Sequence, residues 1–154
     1  MNRREQIRMS DTEVDAFVAE QRIVICATIG SDGFPHLMPL WYVVRSGELW
    51  AWTFAKSQKV RNLERDARAT LQVEAGVEYP ELRGVMLKTD VTIHHDTDRV
   101  AQLGLEIFAR YEGELTAQLR EMVAAQAPKR VALQFAERAR ATWDHRKLAV
   151  AAPS

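Results

Sequence analysis

From His36 to Val44 the chain reads as a strand that is apolar on both faces, and few folds accommodate such a segment. Alternate strand residues point to opposite sides, so Leu37, Pro39, Trp41 and Val43 share one face and Met38, Leu40, Tyr42 and Val44 the other. In a small barrel only the inward face is buried by the barrel itself. The outward face then needs a helix, a flat ligand or another subunit against it. Leu49 to Phe54 deepens that need by placing Trp50, Trp52 and Phe54 on one side. A homodimer is the economical cover.

The surrounding sequence supplies the rest of a sheet. Ser10-Asp11-Thr12-Glu13 matches a capping box, and Val14, Phe17 and Val18 continue it as a short helix. Ile23 to Ile29, the run from His36 and the run to Phe54, separated by Gly30-Ser31-Asp32-Gly33 and Arg45-Ser46-Gly47-Glu48, read as a three-strand antiparallel meander. A helix over about Gln58 to Arg65 precedes a strand from Ala69 to Ala75. Val85 to His94 is a longer strand with Val85, Leu87, Thr89, Val91 and Ile93 facing the core. Two helices follow, on the stripes Val100, Leu103, Ile107, Phe108, Tyr111 and Leu115, Leu119, Met122, Val123, with Gly113 between them. Arg130 to Glu137 and Ala139 to His145 close the sheet. The expected class is α+β, mainly β: a small barrel of six to seven antiparallel strands with peripheral helices, not a doubly wound sheet.

At 154 residues and 47% hydrophobic content the chain is long enough for one compact domain over 1–154, with flexible ends at 1–9 and 147–154. Lys plus Arg and Asp plus Glu both number 21, so no global field recruits nucleic acid or an anionic membrane. No stretch reaches membrane-spanning length, and the basic N-terminus leads into a polar helix signal rather than a secretory core. The single cysteine, Cys26, lies in an apolar run. It excludes an internal disulfide, reads as a buried structural thiol, and fits a reducing, cytoplasmic setting.

Lys56-Ser57-Gln58-Lys59-Val60-Arg61-Asn62-Leu63 gathers cationic and polar side chains where a strand hands over to a helix. Helix N-termini carry unpaired N–H groups and favour negative charge, so Lys56 and Lys59 suit a phosphate there. The competing reading is a solvated helix start whose charges pair with Glu64 and Asp66. His94-His95 does not make a metal site, because consecutive strand residues point apart. No serine is flanked by nucleophile-elbow glycines, which disfavours a triad built on His36 or Asp144-His145. Most tryptophans read as core. Arg83 is a further candidate for an anionic contact.

Three ordered segments carry a family resemblance: Gly33-Phe34-Pro35-His36-Leu37-Met38-Pro39-Leu40-Trp41, then Trp52-Thr53-Phe54-Ala55-Lys56-Ser57-Gln58-Lys59-Val60-Arg61-Asn62-Leu63, then Glu81-Leu82-Arg83-Gly84-Val85. The chain resembles the pyridoxamine 5′-phosphate oxidase-like split β-barrel proteins of the FMN-binding type, and within them the flavin/deazaflavin oxidoreductases, B group, that use coenzyme F420. The resemblance implies a homodimer with cofactor sites at the interface. It implies that Lys56, Ser57, Lys59 and Asn62 hold the phosphate region, that Met38, Pro39, Leu40 and Thr53 lie along the deazaflavin ring, and that Trp41 packs beside it. It further implies hydride transfer from reduced F420 to an unsaturated, conjugated small molecule of quinone-like or tetrapyrrole class. His36 and Tyr42 are candidate proton donors. The alternatives are an FMN-dependent oxidoreductase of the same fold and an F420- or flavin-binding protein without turnover.

Overall fold

Two residues, Trp41 and Tyr42, carry the chain from one edge of a seven-stranded sheet to the other. The computed structural model describes residues 1–150, with side chains through Leu148. Its strands are β1 (Val24–Ile29), β2 (Pro35–Leu40), β3 (Val43–Arg45), β4 (Glu48–Phe54), β5 (Arg68–Ala75), β6 (Arg83–His94) and β7 (Arg130–Asp144). Their spatial order is β2-β1-β5-β6-β7-β4-β3, and every neighbouring pair is antiparallel. Laid flat, six strand spacings would hold β2 and β3 roughly 29 Å apart. The three Cα steps from Leu40 to Val43 span at most about 11 Å. The sheet therefore curls until its edges approach, which makes the split barrel of the expected α+β, mainly β class.

This arrangement corrects the local reading at three places. The apolar run from His36 to Val44 is two strands, not one, broken at Trp41-Tyr42. The expected meander is two hairpins, β1/β2 and β3/β4, at opposite ends of the sheet. Arg130–Asp144 is a single strand whose pairing shifts where Lys88 faces Ala139 and Thr89 faces Glu137, leaving Arg138 as the extra residue.

The helices are α1 (Arg3–Gln6), α2 (Asp11–Glu20), α3 (Gln58–Arg65), α4 (Thr97–Glu112), α5 (Ala117–Gln126) and α6 (Arg146–Val150). The Ser10/Glu13 capping box forms as read, with reciprocal bonds of 3.2 and 2.9 Å. Residues 1–9 are not a loose end: α1 is capped by Asn2, Met9 is buried in the core, and its N–H donates to Thr142 Oγ1 at 2.9 Å. At the other end Lys147 Nζ reaches Glu13 Oε1 at 2.8 Å. Residues 151–154 lie outside the described residues.

Val24, Cys26, Leu71, Val73, Val85, Leu133 and Phe135 fill the barrel interior, while Val43, Trp52, Leu103 and Ile107 form a second cluster beneath α4. Trp50 and Trp52 on β4 are thus covered within the chain, while Phe54 stays exposed. Close approach depends on Gly104, where a Cβ would lie 2.5 Å from the Trp52 ring.

The crossing itself is fastened by one guanidinium. Arg110 Nη1 donates to the Tyr42 carbonyl at 2.7 Å and to Tyr111 Oη at 2.6 Å, while Nη2 donates to the carbonyls of Gln21 at 2.5 Å and Ala19 at 3.1 Å. The Ala19 and Gln21 carbonyls lie at the end of α2, where no intrahelical donor reaches them. Tyr42 Oη adds a bond to the Val18 carbonyl at 2.6 Å. We expect Arg110→Met, which keeps an apolar stem but leaves these acceptors unpaired, to lower stability by about 2 to 4 kcal/mol in urea unfolding. A loss below about 0.5 kcal/mol would remove Arg110 from this role.

Candidate functional site

Ser57 is the N-cap of α3 in extended conformation (φ −68°, ψ 156°), yet its side chain makes no capping bond. Its hydroxyl is buried without any hydrogen-bond partner. The first intrahelical bond runs from Arg61 N–H to the Ser57 carbonyl, so the N–H groups of Gln58, Lys59 and Val60 precede the helical ladder. A buried donor set left this way costs free energy unless an acceptor fills it.

Lys59 supplies the formal charge. It is buried, and its ammonium donates to Thr53 Oγ1 at 2.8 Å. Among the described residues it forms no ion pair. Burial holds its pKa below the ordinary lysine value, and the nearby positive charge of Arg130 pushes the same way. A single hydroxyl partner leaves donor capacity on the ammonium for an anion.

Asn62 has a different part from the one expected of it. It is fully buried, donates to Thr28 Oγ1 at 3.0 Å, and accepts from Gln58 Nε2 at 2.9 Å and Arg65 Nη2 at 3.2 Å. Arg65 also donates to the Ile29 carbonyl at 2.8 Å. Asn62 therefore rivets α3 to β1 and sets the angle at which the Ser57 end of the helix is presented. Lys56 is exposed on the turn before it, free of ion pairs among the described residues.

Arg130 escapes sequence reasoning. Its guanidinium lies 4.3 Å from the Trp52 ring centre and 4.0 Å from that of Phe54, and Nε donates to Gln126 Oε1 at 2.9 Å. Arg130 is the register partner of Phe54, and Ala55 N–H donates to the Lys129 carbonyl at 2.9 Å. These contacts bring Lys129 and Arg130 beside the turn that carries Lys56. Arg130 too lacks a carboxylate partner among the described residues, and burial lowers its pKa. Its signal would have been the β4–β7 pairing, which joins residues more than seventy positions apart.

The β2 residues lie on the edge strand beside β1, the strand to which Asn62 ties α3. Met38 pairs with Cys26 and Leu40 with Val24 on the inward side, while Pro39 pairs with Ile25 outward. Leu37, Met38 and Pro39 are exposed, with Leu37 at 58%. Trp41 does not join them: it stacks on Tyr111 at 4.4 Å and meets Phe108 edge-on, on the α4 side. His36 pairs with Thr28, and its Nδ1 is buried without a partner. Tyr42 is unsuited to donate to a ligand, since its hydroxyl is committed to main-chain carbonyls. Arg83 is engaged with Glu20 at 3.7 Å and with the Phe17 ring, so it is not an anion contact.

Nor do the described residues assemble a hydrolytic triad on Asp144 or His145. Asp144 is held by Arg146, and His145 bonds the Tyr79 carbonyl. Burial pushes the Cys26 thiol up to about 12, so it stays protonated and inert. Among the described residues no helix is long and apolar enough to cross a membrane.

The sequence profile of pyridoxamine 5′-phosphate oxidase matches residues 10–144. A conserved hypothetical protein of Mycobacterium tuberculosis is 39% identical over 100% of this chain and 96% of its own, with a TM-score of 0.88. Two more distant structures share the fold. An F420 reductase is 21% identical over 82% of this chain and 94% of its own, TM-score 0.68. An FAD-binding protein of Mesorhizobium loti is 15% identical over 87% of this chain and 94% of its own, TM-score 0.66. No curated protein matches the sequence.

The buried ammonium makes a prediction about pH. Because the folded pKa of Lys59 is lowered, the unfolded chain binds more protons between that value and the ordinary lysine value of about 10.4. The Lys59 contribution to stability therefore rises with pH through that window. Replacing Lys59 by Met removes this rise, and the stability difference between wild type and Lys59→Met, measured by urea unfolding across alkaline pH, is expected to move in favour of the wild type. A difference independent of pH would contradict a desolvated ammonium.

Proposed function

The chain belongs to the pyridoxamine 5′-phosphate oxidase family, and from that premise we propose that it is an oxidoreductase that uses coenzyme F420 to reduce an unsaturated, conjugated small molecule. One observation carries the reading. A buried lysine without a carboxylate, an unpartnered serine hydroxyl and the first N–H groups of α3 occur together at the start of that helix, which Asn62 joins to β1, the neighbour of the exposed apolar strand β2. Such a cradle fits a phosphate, and the strand beside it fits an apolar ring.

In this reading Lys59, Ser57 and the α3 N-terminus hold the phosphate, with Lys56 adding charge from the rim. Asn62 positions α3 through Thr28, and Thr53 aims the Lys59 ammonium. Met38, Pro39 and Leu40 lie along the ring and exclude water from it. When bound, reduced F420 supplies a hydride from its C5 position. The protein contributes orientation and a dry surface, which account for catalysis without a dedicated nucleophile. Quinone-like and tetrapyrrole compounds are the proposed acceptors.

We assign the remaining exposed apolar surface of β2, with Leu37, to a second copy of the chain, so that each cofactor lies where two subunits meet. Leu37→Glu is then expected to yield monomers in light scattering and to abolish cofactor binding together with dimerisation.

FMN is the rival cofactor, favoured by the family match and by the FAD-binding structure of the same fold. Titration of purified protein with each cofactor decides: F420 binds and FMN does not, and tight FMN binding without F420 binding overturns the assignment. Lys56→Ala or Lys59→Ala is expected to weaken F420 by about 1 to 3 kcal/mol with the fold intact. Single-turnover oxidation of bound reduced F420 by an acceptor panel separates an enzyme from a binding protein. Oxidation no faster than that of free cofactor would leave only the binding role.

A further inference from the structure

On the opposite face of β4 from Thr53 and Lys59, a cavity of about 320 Å³ opens between α4 and the outer side of the sheet. Arg45, Trp50, His94, Arg99, Gln102 and Glu106 line it. Three features distinguish it from an incidental gap. The indole N–H of Trp50 is buried without a hydrogen-bond partner. The Trp50 ring is held between His94, stacked at 5.1 Å and 22°, and the Arg45 guanidinium at 4.9 Å, which fixes its edge at the cavity. Its hydrogen bonds also leave one cation uncompensated.

That last point follows from the donors and acceptors. The Glu48 carboxylate only accepts, so Gln134 gives it the amide N–H at 2.9 Å and turns its own oxygen toward His94 Nε2, also at 2.9 Å. His94 therefore donates from Nε2. Arg99 reaches its Nδ1 at 3.4 Å, a long contact. Arg45 and Glu106 cancel each other in a bidentate pair, both bonds at 2.8 Å. Asp96 is occupied in capping the backbone N–H of Arg99. Among the described residues Arg99 forms no ion pair, so the cavity presents one unpaired guanidinium and one unused indole donor.

We infer that this cavity binds a small monocarboxylate, its carboxylate taken by Arg99 and the Trp50 indole N–H and its body lying along the edge of the Trp50/His94 stack. A single free guanidinium matches one negative charge, and Glu106 at the rim disfavours a dianion. At roughly 30 Å³ for each water-sized group the space holds about ten non-hydrogen atoms, the size of a benzoate. The site is independent of the cofactor reading, since the sheet separates it from Lys59.

Benzoate titrated into the full chain, followed by the tryptophan indole N–H resonances in NMR, tests the assignment, with Trp50→Phe identifying the Trp50 signal. The expected result is a saturable shift of that signal, affinity reduced tenfold or more in Arg99→Gln, and affinity unchanged in Lys59→Ala. Absence of a saturable shift up to about 10 mM benzoate overturns the proposal. So does equal affinity in Arg99→Gln, or loss of binding in Lys59→Ala alone, which would place the carboxylate in the α3 cradle instead.

Discussion

The passage of the chain through Trp41 and Tyr42 is the constraint on which the rest of the structure depends. Two residues joining the first and last strands of a seven-stranded sheet leave no flat solution, so the sheet must curl. Holding the crossing requires a donor set aimed at main-chain carbonyls. Arg110 provides it from α4, and Tyr111 Oη accepts from the Tyr42 N–H at 3.0 Å. The same guanidinium caps the end of α2, so one side chain unites the helix that plugs the barrel, the crossing and the helix that covers β4.

Curling also determines where charge accumulates. The chain is neutral as a whole, yet Lys56, Lys59, Lys129 and Arg130 come together around the start of α3 without an ion pair among the described residues. Acidic residues that would neutralise them pair elsewhere, as Glu106 with Arg45, Asp66 with Arg68 and Asp144 with Arg146. An uncompensated cluster of this kind lowers the stability of the empty protein and raises its affinity for an anion. On the proposed reading, function and stability pull in opposite directions at Lys59.

Features encoded by short-range periodicity were legible in the sequence. The capping box of α2, the bounds of α3, the two-faced alternation of β6 and the burial of Cys26 each depend on neighbours within a few residues. The strand from His36 to Val44 misleads because both of its faces are apolar, so nothing local marks the break at Trp41. Trp41 itself belongs with Tyr111, seventy positions away, and not with the cradle. Asn62 resembles a ligand-binding residue in sequence, yet Thr28, Gln58 and Arg65 engage its oxygen and one of its amide N–H groups.

Sequence alone determined a mainly β chain with an anion-disposed strand-to-helix junction at Lys56 to Leu63, because strand alternation and helix-start chemistry are properties of adjacent residues. Only the tertiary structure decided that Lys59 is buried without a counter-charge, that Arg130 stands over Trp52 and Phe54, and that Asn62 is a rivet. Each of those facts depends on strands and helices distant in the chain being brought together. The free energy of a charge or a hydrogen bond is set by what surrounds it, and only the closed fold supplies the surroundings.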